Sequence, residues 1–433
     1  MKKALIITYY WPPSGGAGVQ RWLKFVKYLR EFGWEPQIYT PLEPDFPIRD
    51  HTLAADIPDD IEVIRKPIWE PYSFYKKIAG GESTPKINSG TLNNPKSPGI
   101  VSQLSVWIRG NLFIPDARKF WIRPSIRFLR KYLKEHPVDV IISTGPPHSM
   151  HLIALKLKEQ LNIPWLADFR DPWTDIDYYK EMEISKLADR RHKKLELKTI
   201  TTCNAMVVVS PEMKTNYEKM GSKNVHLITN GFDPDDIVSD QALLDTRFSI
   251  SHIGALPPGF NLKGLWHVLA ELKETLPGFK NNLVIRLVGK VDDSVIDDLR
   301  SQNLEKLLEL PGYVTHDQAA NFMKQSAVLL LVINHNSPNA RGILTGKFFE
   351  YLAARRPILA IGPTDGSLAG ILEESGAGKI TVYNDIDQIR NMIMDLYDKY
   401  LHNKLINTGE GIEKFTRKRL TAQLAKVLNE IIN

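Results

Sequence analysis

Twice in this chain a buried strand runs into a glycine-rich turn and then into a helix, and no other feature restricts the fold so tightly. Lys3 to Tyr9 is an apolar run, and Pro12 to Gly18 after it reads PPSGGAG. A helix follows, with Val19, Leu23, Val26 and Leu29 at helical spacing and Gly33 as its stop. Far downstream, Phe248 to Ile253 is a second such strand and Gly254 to Asn261 a second turn. From Lys263 a second helix carries Leu265, Val268, Leu269 and Leu272 on one face. Each unit is the opening of a doubly wound α/β domain, so the expected architecture is two Rossmann-like domains. Glycine at such a turn lets backbone N–H groups approach a ligand, which makes Gly15, Gly16 and Gly254 candidate contacts. The dinucleotide fingerprint is only partly met, because Arg21 stands where its third glycine belongs; that weighs against a dehydrogenase.

The rest of the pattern repeats strand and helix. Further strands are expected at Val138–Ser143, Ile163–Ala167, Ala205–Val209 and Val225–Thr229, then at Leu283–Val288, Glu309–Val314, Ala327–Ile333 and Pro357–Ile361. An acidic, proline-containing run from Pro234 to Asp245 is the expected linker. The domains are therefore drawn as 1–235, 236–412 and a closing helix at 413–433. Residues 79–100 are rich in Gly, Ser, Asn and Pro, and read as a long loop, either an acceptor flap or disordered.

Composition excludes several classes. The single cysteine, Cys203, allows no internal disulfide and no cysteine-based zinc framework, which suits a cytoplasmic protein. The first residues read as a strand and not as a signal peptide, and no stretch reaches the roughly eighteen apolar residues of a spanning helix. A net charge of +6 does not demand nucleic acid, but eight Lys or Arg fall between Val101 and Glu135, interleaved with Trp107, Phe113, Phe120, Trp121, Phe128 and Tyr132. Two readings stay open for 101–135: peripheral contact with an anionic membrane face, or a helix with a core face and a solvated basic face.

The chemistry gathers at strand ends. Gly342 to Pro363, GILTGKFFEYLAARRPILAIGP, reads as a turn, a helix from about Thr345 to Arg355 and a buried strand. Lys347 and Glu350 lie one turn apart beside the helix N-terminus, where N–H groups and the helix dipole favour an anion. A phosphate held there, with a carboxylate to accept ribose hydroxyls, is a coherent nucleotide site; a solvated Lys–Glu pair is the plain alternative. Thr144-Gly-Pro-Pro-His148-Ser149 and Asp168-Phe-Arg170-Asp171-Pro-Trp173 also end strands, so His148 is a candidate contact, Arg170 can bind phosphate or sugar hydroxyls, and Asp168 or Asp171 can orient an acceptor hydroxyl. A helix-starting histidine and a structural Arg–Asp cluster are the competing readings. Lys263, at a helix start, is placed for a phosphate.

The run K-F-F-E-Y-L-A-A-x-R-P-I-L-A resembles the nucleotide-binding segment of the retaining family 4 glycosyltransferases, in the branch that builds bacterial surface polysaccharides, and DFRDPW resembles the same branch. The resemblance implies a GT-B fold, two such domains facing a central cleft. It implies that Glu350 binds the ribose, that Gly15 and Gly16 lie beside the donor phosphates, and that Tyr313 and Val314 line the base pocket. It also places Asn334, Arg341, Leu344 and Thr345 near the sugar and phosphates, and has the tail helix pack back on the first domain. Asn230-Gly231-Phe-Asp233 matches the crossing into the second domain. Two familiar positions differ: Gly342 stands for the first of a pair of glutamates, and Arg170 for a histidine that touches the donor sugar.

The expected protein is a hexosyl- or N-acetylhexosaminyltransferase. It would take a UDP- or GDP-linked sugar, with no metal and no other cofactor, and deliver the sugar to a saccharide or lipid-linked acceptor in cell-surface polysaccharide synthesis. A nucleotide-sugar epimerase, a binding-only descendant and a peripheral scaffold remain as rivals.

Overall fold

A computed structural model of the chain describes residues 1–46, 48–71, 100–237, 244–334, 337, 339–405, 409 and 411–433. The 79–100 loop, apart from Ile100, and residues 238–243 of the expected linker lie outside them. The chain divides into two compact units, Met1–Thr229 with Arg417–Asn433, and Asn230–Thr416.

The first unit holds β1 (Lys2–Ile7), β2 (Trp34–Leu42), β3 (Glu62–Pro67), β4 (Val140–Gly145), β5 (Trp165–Phe169), β6 (Ala205–Val208) and β7 (Val225–Leu227). They pair in parallel in the order β3-β2-β1-β4-β5-β6-β7, with Leu5 opposite Gln37 on one side and Ile141 on the other. Strands covered on both faces need apolar residues on both, which is why β1 and β4 read as continuous hydrophobic runs. Leu5 and Ile7 pack with Trp121, Met150 and Ile153. Ala4 and Ile6 pack on the opposite face with Trp22, Phe25 and Val26. The helix Ala17–Leu29 supplies that second layer, and Gly33, left-handed at φ 81°, ends the turn that follows it. The last helix, Arg417–Ile432, joins the same layer through Leu420, Leu424 and Leu428.

The second unit holds β8 (Phe248–Ile253), β9 (Leu283–Val288), β10 (Leu308–Gly312), β11 (Val328–Val332), β12 (Ile358–Ile361) and β13 (Gly378–Thr381), parallel in the order β10-β9-β8-β11-β12-β13. Ile250, Leu287 and Leu330 meet Leu265, Trp266 and Leu269 on one face. Leu329, Leu331 and Ala360 meet Phe348, Phe349 and Leu352 on the other. Each unit is thus a doubly wound, parallel α/β domain, as the sequence pattern predicts.

In both sheets the strand order reverses beside the first strand, between β1 and β4 and between β8 and β11. Ligands of open α/β sheets bind outside the carboxyl ends of strands at such reversals. The PPSGGAG turn and Thr144–Ser149 follow β1 and β4; Gly254 and Asn334 follow β8 and β11.

The basic run forms two helices, Ile100–Leu112 and Lys119–Glu135. In the second, Trp121, Leu129 and Leu133 are buried, and Trp121 stacks on Tyr39 at 4.9 Å between ring centroids. Arg123, Arg127, Arg130, Lys131 and Lys134 are exposed. That helix therefore has a core face and a basic outer face. No helix among the described residues is long and apolar enough to cross a membrane.

Candidate functional site

In the second unit the site is built on the helix Gly346–Ala354, whose N-cap is Thr345: its hydroxyl accepts from the Phe348 N–H at 3.2 Å. The helix is bound to the end of β8 at two points. Tyr351, fully buried, accepts the Ile253 N–H on its hydroxyl at 2.9 Å. Lys347 reaches past Gly254, and its Nζ stands 3.2 Å from Nε2 of His252. A Cβ on Gly254 would meet Lys347 Nζ at 2.5 Å and Cε at 2.7 Å, so only glycine leaves the lysine its path. Gly254 also has φ +126°, a conformation side chains disfavour. The Lys347 residue is half-buried, but its ammonium is turned inward. Burial pushes it down to about 8, against the pull of the Glu350 carboxylate.

The other donor-side candidates are spread more widely. Asn334 lies beside Gly259, where a Cβ would meet its Nδ2 at 3.5 Å. Arg341 is exposed and paired with Asp365 at 2.9 Å. Lys263 begins its helix but is 77% exposed, with Nζ 3.5 Å from Asp298. Tyr313 is exposed, whereas Val314 packs against the cluster that holds Phe348, and Leu344 is buried in it. Gly342 closes the short turn Ala340–Gly342 before the helix.

In the first unit, Asp168 at the end of β5 is 1% exposed and its carboxylate is saturated. Oδ1 accepts from Arg21 Nε and Nη2 at 3.1 and 3.0 Å, and Oδ2 from Trp22 Nε1 at 2.7 Å and Thr144 Oγ1 at 2.8 Å. Burial would push its pKa up, but Arg21 and these donors outweigh it and hold the group below the usual carboxylate range. A carboxylate so engaged ties the first helix to β4 and β5; this geometry favours anchoring over proton transfer. Arg170 donates to the carbonyl oxygens of Gly18 and Pro146, and so clamps the PPSGGAG turn to the turn after β4. Burial lowers its pKa, with Asp171 and Asp168 opposing. Asp171 itself is exposed. Gly15 donates its N–H to Ile48 O at 3.0 Å, and Gly16 caps the first helix with φ 86°.

His148 is 7% exposed and stacks on Trp173 with ring centroids 4.6 Å apart and planes 3° from parallel. Its Nδ1 has no hydrogen-bond partner among the described residues. Burial chiefly, then the charges of His151, Arg170 and His192, keeps it neutral.

Sequence reasoning missed Arg21, Trp22, His252 and Tyr351. For Arg21 a signal existed: a buried Asp168 requires a cation. His252 and Tyr351 sit inside a strand and a helix, and nothing beside them in the sequence marks their partners.

Residues 92–236 match the family model described as Glycosyltransferase Family 4. That span includes Thr144–Trp173 and stops before the Gly346–Ala354 helix. No curated protein sequence matches the chain. Among solved structures, the chain is similar to sucrose-phosphate synthase from Thermosynechococcus elongatus, at 14% identity and TM-score 0.63, over 99% of each chain. It is similar to HepE from Anabaena in complex with UDP-glucose, at 13% identity and TM-score 0.63, over 99% of this chain and 100% of that one. A third likeness is to WaaG, a glycosyltransferase involved in lipopolysaccharide biosynthesis, at 12% identity and TM-score 0.57, over 98% and 99%. Residues 92–236 thus match the Glycosyltransferase Family 4 model, and the chain as a whole shares the GT-B fold of these solved structures.

Proposed function

We propose that the protein is a retaining glycosyltransferase. It moves a hexose or N-acetylhexosamine from a UDP- or GDP-linked donor to a saccharide or lipid-linked acceptor in cell-surface polysaccharide synthesis. The observation that carries this reading is Lys347, held at a helix N-terminus over Gly254, at the strand-order reversal of the second sheet, with Glu350 one turn on.

The chemical problem is a nucleoside diphosphate whose negative charge grows as it leaves the sugar. An ammonium and the N–H groups of a helix start, fixed before the reaction, lower the energy of that charge without reorganising. Glu350 then accepts the ribose hydroxyls. Since Asp168 is fully engaged, a front-face course fits best, in which the leaving phosphate takes the acceptor proton. The UDP-glucose bound by HepE supports a nucleotide-sugar donor. The exposed Arg127, Arg130, Lys131 and Lys134 support peripheral contact with the anionic inner face of a cell membrane.

The test is a thermal-shift screen against UDP, GDP and ADP. A ligand at one hundred times its Kd adds about 2.7 kcal/mol, so a shift by one nucleotide that disappears in Glu350→Ala is expected. No shift with any of them would move the protein to the peripheral-scaffold reading.

A further inference from the structure

His252 reaches the Lys347 ammonium directly by a hydrogen bond, and it lies buried inside the sheet on β8. Its two ring nitrogens have different surroundings. Nδ1 is 3.0 Å from the carbonyl oxygen of Leu330 on the neighbouring strand β11, and so carries the proton and donates it there. Nε2 is 3.4 Å from Ala255 O and 3.2 Å from Lys347 Nζ. With Nδ1 protonated, the Nε2 lone pair accepts from the ammonium. Burial first, then the Lys347 charge, pushes His252 down to about 3, so the ring stays neutral across the working range.

We propose that His252 is a positioning residue for the donor site: a neutral acceptor, locked in one tautomer by Leu330, that parks the Lys347 ammonium over Gly254 ready for a diphosphate. The inference rests on the donor-site reading of the Gly346–Ala354 helix. A neutral acceptor suits this task better than a carboxylate. It orients the lysine and favours its charged form, yet it competes only weakly with an arriving phosphate and adds no negative charge to repel one.

Among the described residues, Glu350 on its own helix and His252 on β8 bear on the lysine. Binding of an anion favours the charged ammonium, so nucleoside diphosphate affinity falls as pH rises through about 8 in the natural protein. His252→Leu keeps the volume and burial but removes the acceptor. The charged form of Lys347 loses support, the midpoint of that fall moves to lower pH, and affinity at pH 8 drops about tenfold. His252→Gln, which can offer an oxygen, restores much of both.

The experiment titrates UDP and GDP calorimetrically from pH 6.5 to 9.5 into the natural protein, His252→Leu, His252→Gln and Lys347→Met. A lowered midpoint in the leucine variant with recovery in the glutamine variant is the expected result. An unmoved midpoint in folded His252→Leu overturns the inference, while loss of affinity in Lys347→Met keeps the donor site intact. Full affinity in Lys347→Met overturns the donor-site reading instead. Should His252→Leu fail to fold, nitrogen-15 spectra of the natural protein decide: a His252 resonance pattern with Nδ1 protonated and Nε2 bare, changed on adding nucleotide, supports the proposal. A proton on Nε2 overturns it.

Discussion

Arg21 and Asp168 face each other inside the first unit, with Nε and Nη2 of the arginine 3.1 and 3.0 Å from Oδ1 and each side chain 1% exposed. The arginine also donates to the carbonyls of Ile228 and Thr229, both at 2.8 Å. One ion pair therefore joins the first helix, the end of β5 and the segment after β7. Removing one partner of such a pair leaves the other buried and uncompensated, so Asp168→Ala is expected to cost about 3–5 kcal/mol in urea unfolding at neutral pH. The folded pKa of Asp168 is depressed, so its contribution is present above the unfolded value of about 3.9 and is lost as pH falls through the folded value. The gap between natural protein and variant should narrow on acidification; a gap that widens would contradict the pairing.

Tyr351→Phe removes the hydroxyl that accepts the buried Ile253 N–H, at the point where the donor helix is tied to β8. Leaving that group unsatisfied is expected to cost about 1–3 kcal/mol, read by chemical denaturation. A neutral result would show that another acceptor or water replaces the hydroxyl.

Gly254→Ala meets two obstacles, a φ of +126° and a Cβ 2.5 Å from Lys347 Nζ. Strain of this kind costs about 1–3 kcal/mol. Stability and nucleoside diphosphate affinity should fall together, because the lysine must leave its place. Gly259→Ala is the control: its Cβ would only touch Asn334 at ordinary contact distance, so both properties should hold.

Arg170→Lys tests the clamp between Gly18 and Pro146. A single ammonium cannot span two carbonyls as a guanidinium fork does. Amide exchange in the Ser14–Gly18 turn should speed up, and sugar transfer should fall by about tenfold or more, the scale on which misplaced groups cost rate. Unchanged exchange would remove the clamp from the argument.

What sequence conveys here is what neighbours along the chain decide. The apolar runs of β1, β4, β8 and β11, the glycine stops and the Thr345 cap all follow from local pattern, and with them two doubly wound domains; the GT-B fold follows from the family resemblance. Element ends differ by a few residues: β1 stops at Ile7 and not at Tyr9, ahead of prolines that cannot donate to a ladder. Partners far apart in sequence were not legible. Asp168 reads as an acid at a strand end, and only the fold shows it surrounded by Arg21, Trp22 and Thr144. His252 reads as an interruption in a strand, and only the fold brings Lys347 to it. Arg170 reads as a substitute for a sugar-binding histidine, and only the fold shows its guanidinium spanning two turns.

The last helix belongs to the first unit, yet it is encoded after everything in Asn230–Thr416. During synthesis the first sheet can therefore assemble while the surface of Trp22, Phe25 and Val26 that Leu420, Leu424 and Leu428 will share remains incomplete. The second unit emerges as an insertion within the first. The apolar layer behind the PPSGGAG turn is finished only when Arg417–Ile432 arrives, so removing that helix would be felt first at the opposite end of the sequence, around the Ala17–Leu29 helix.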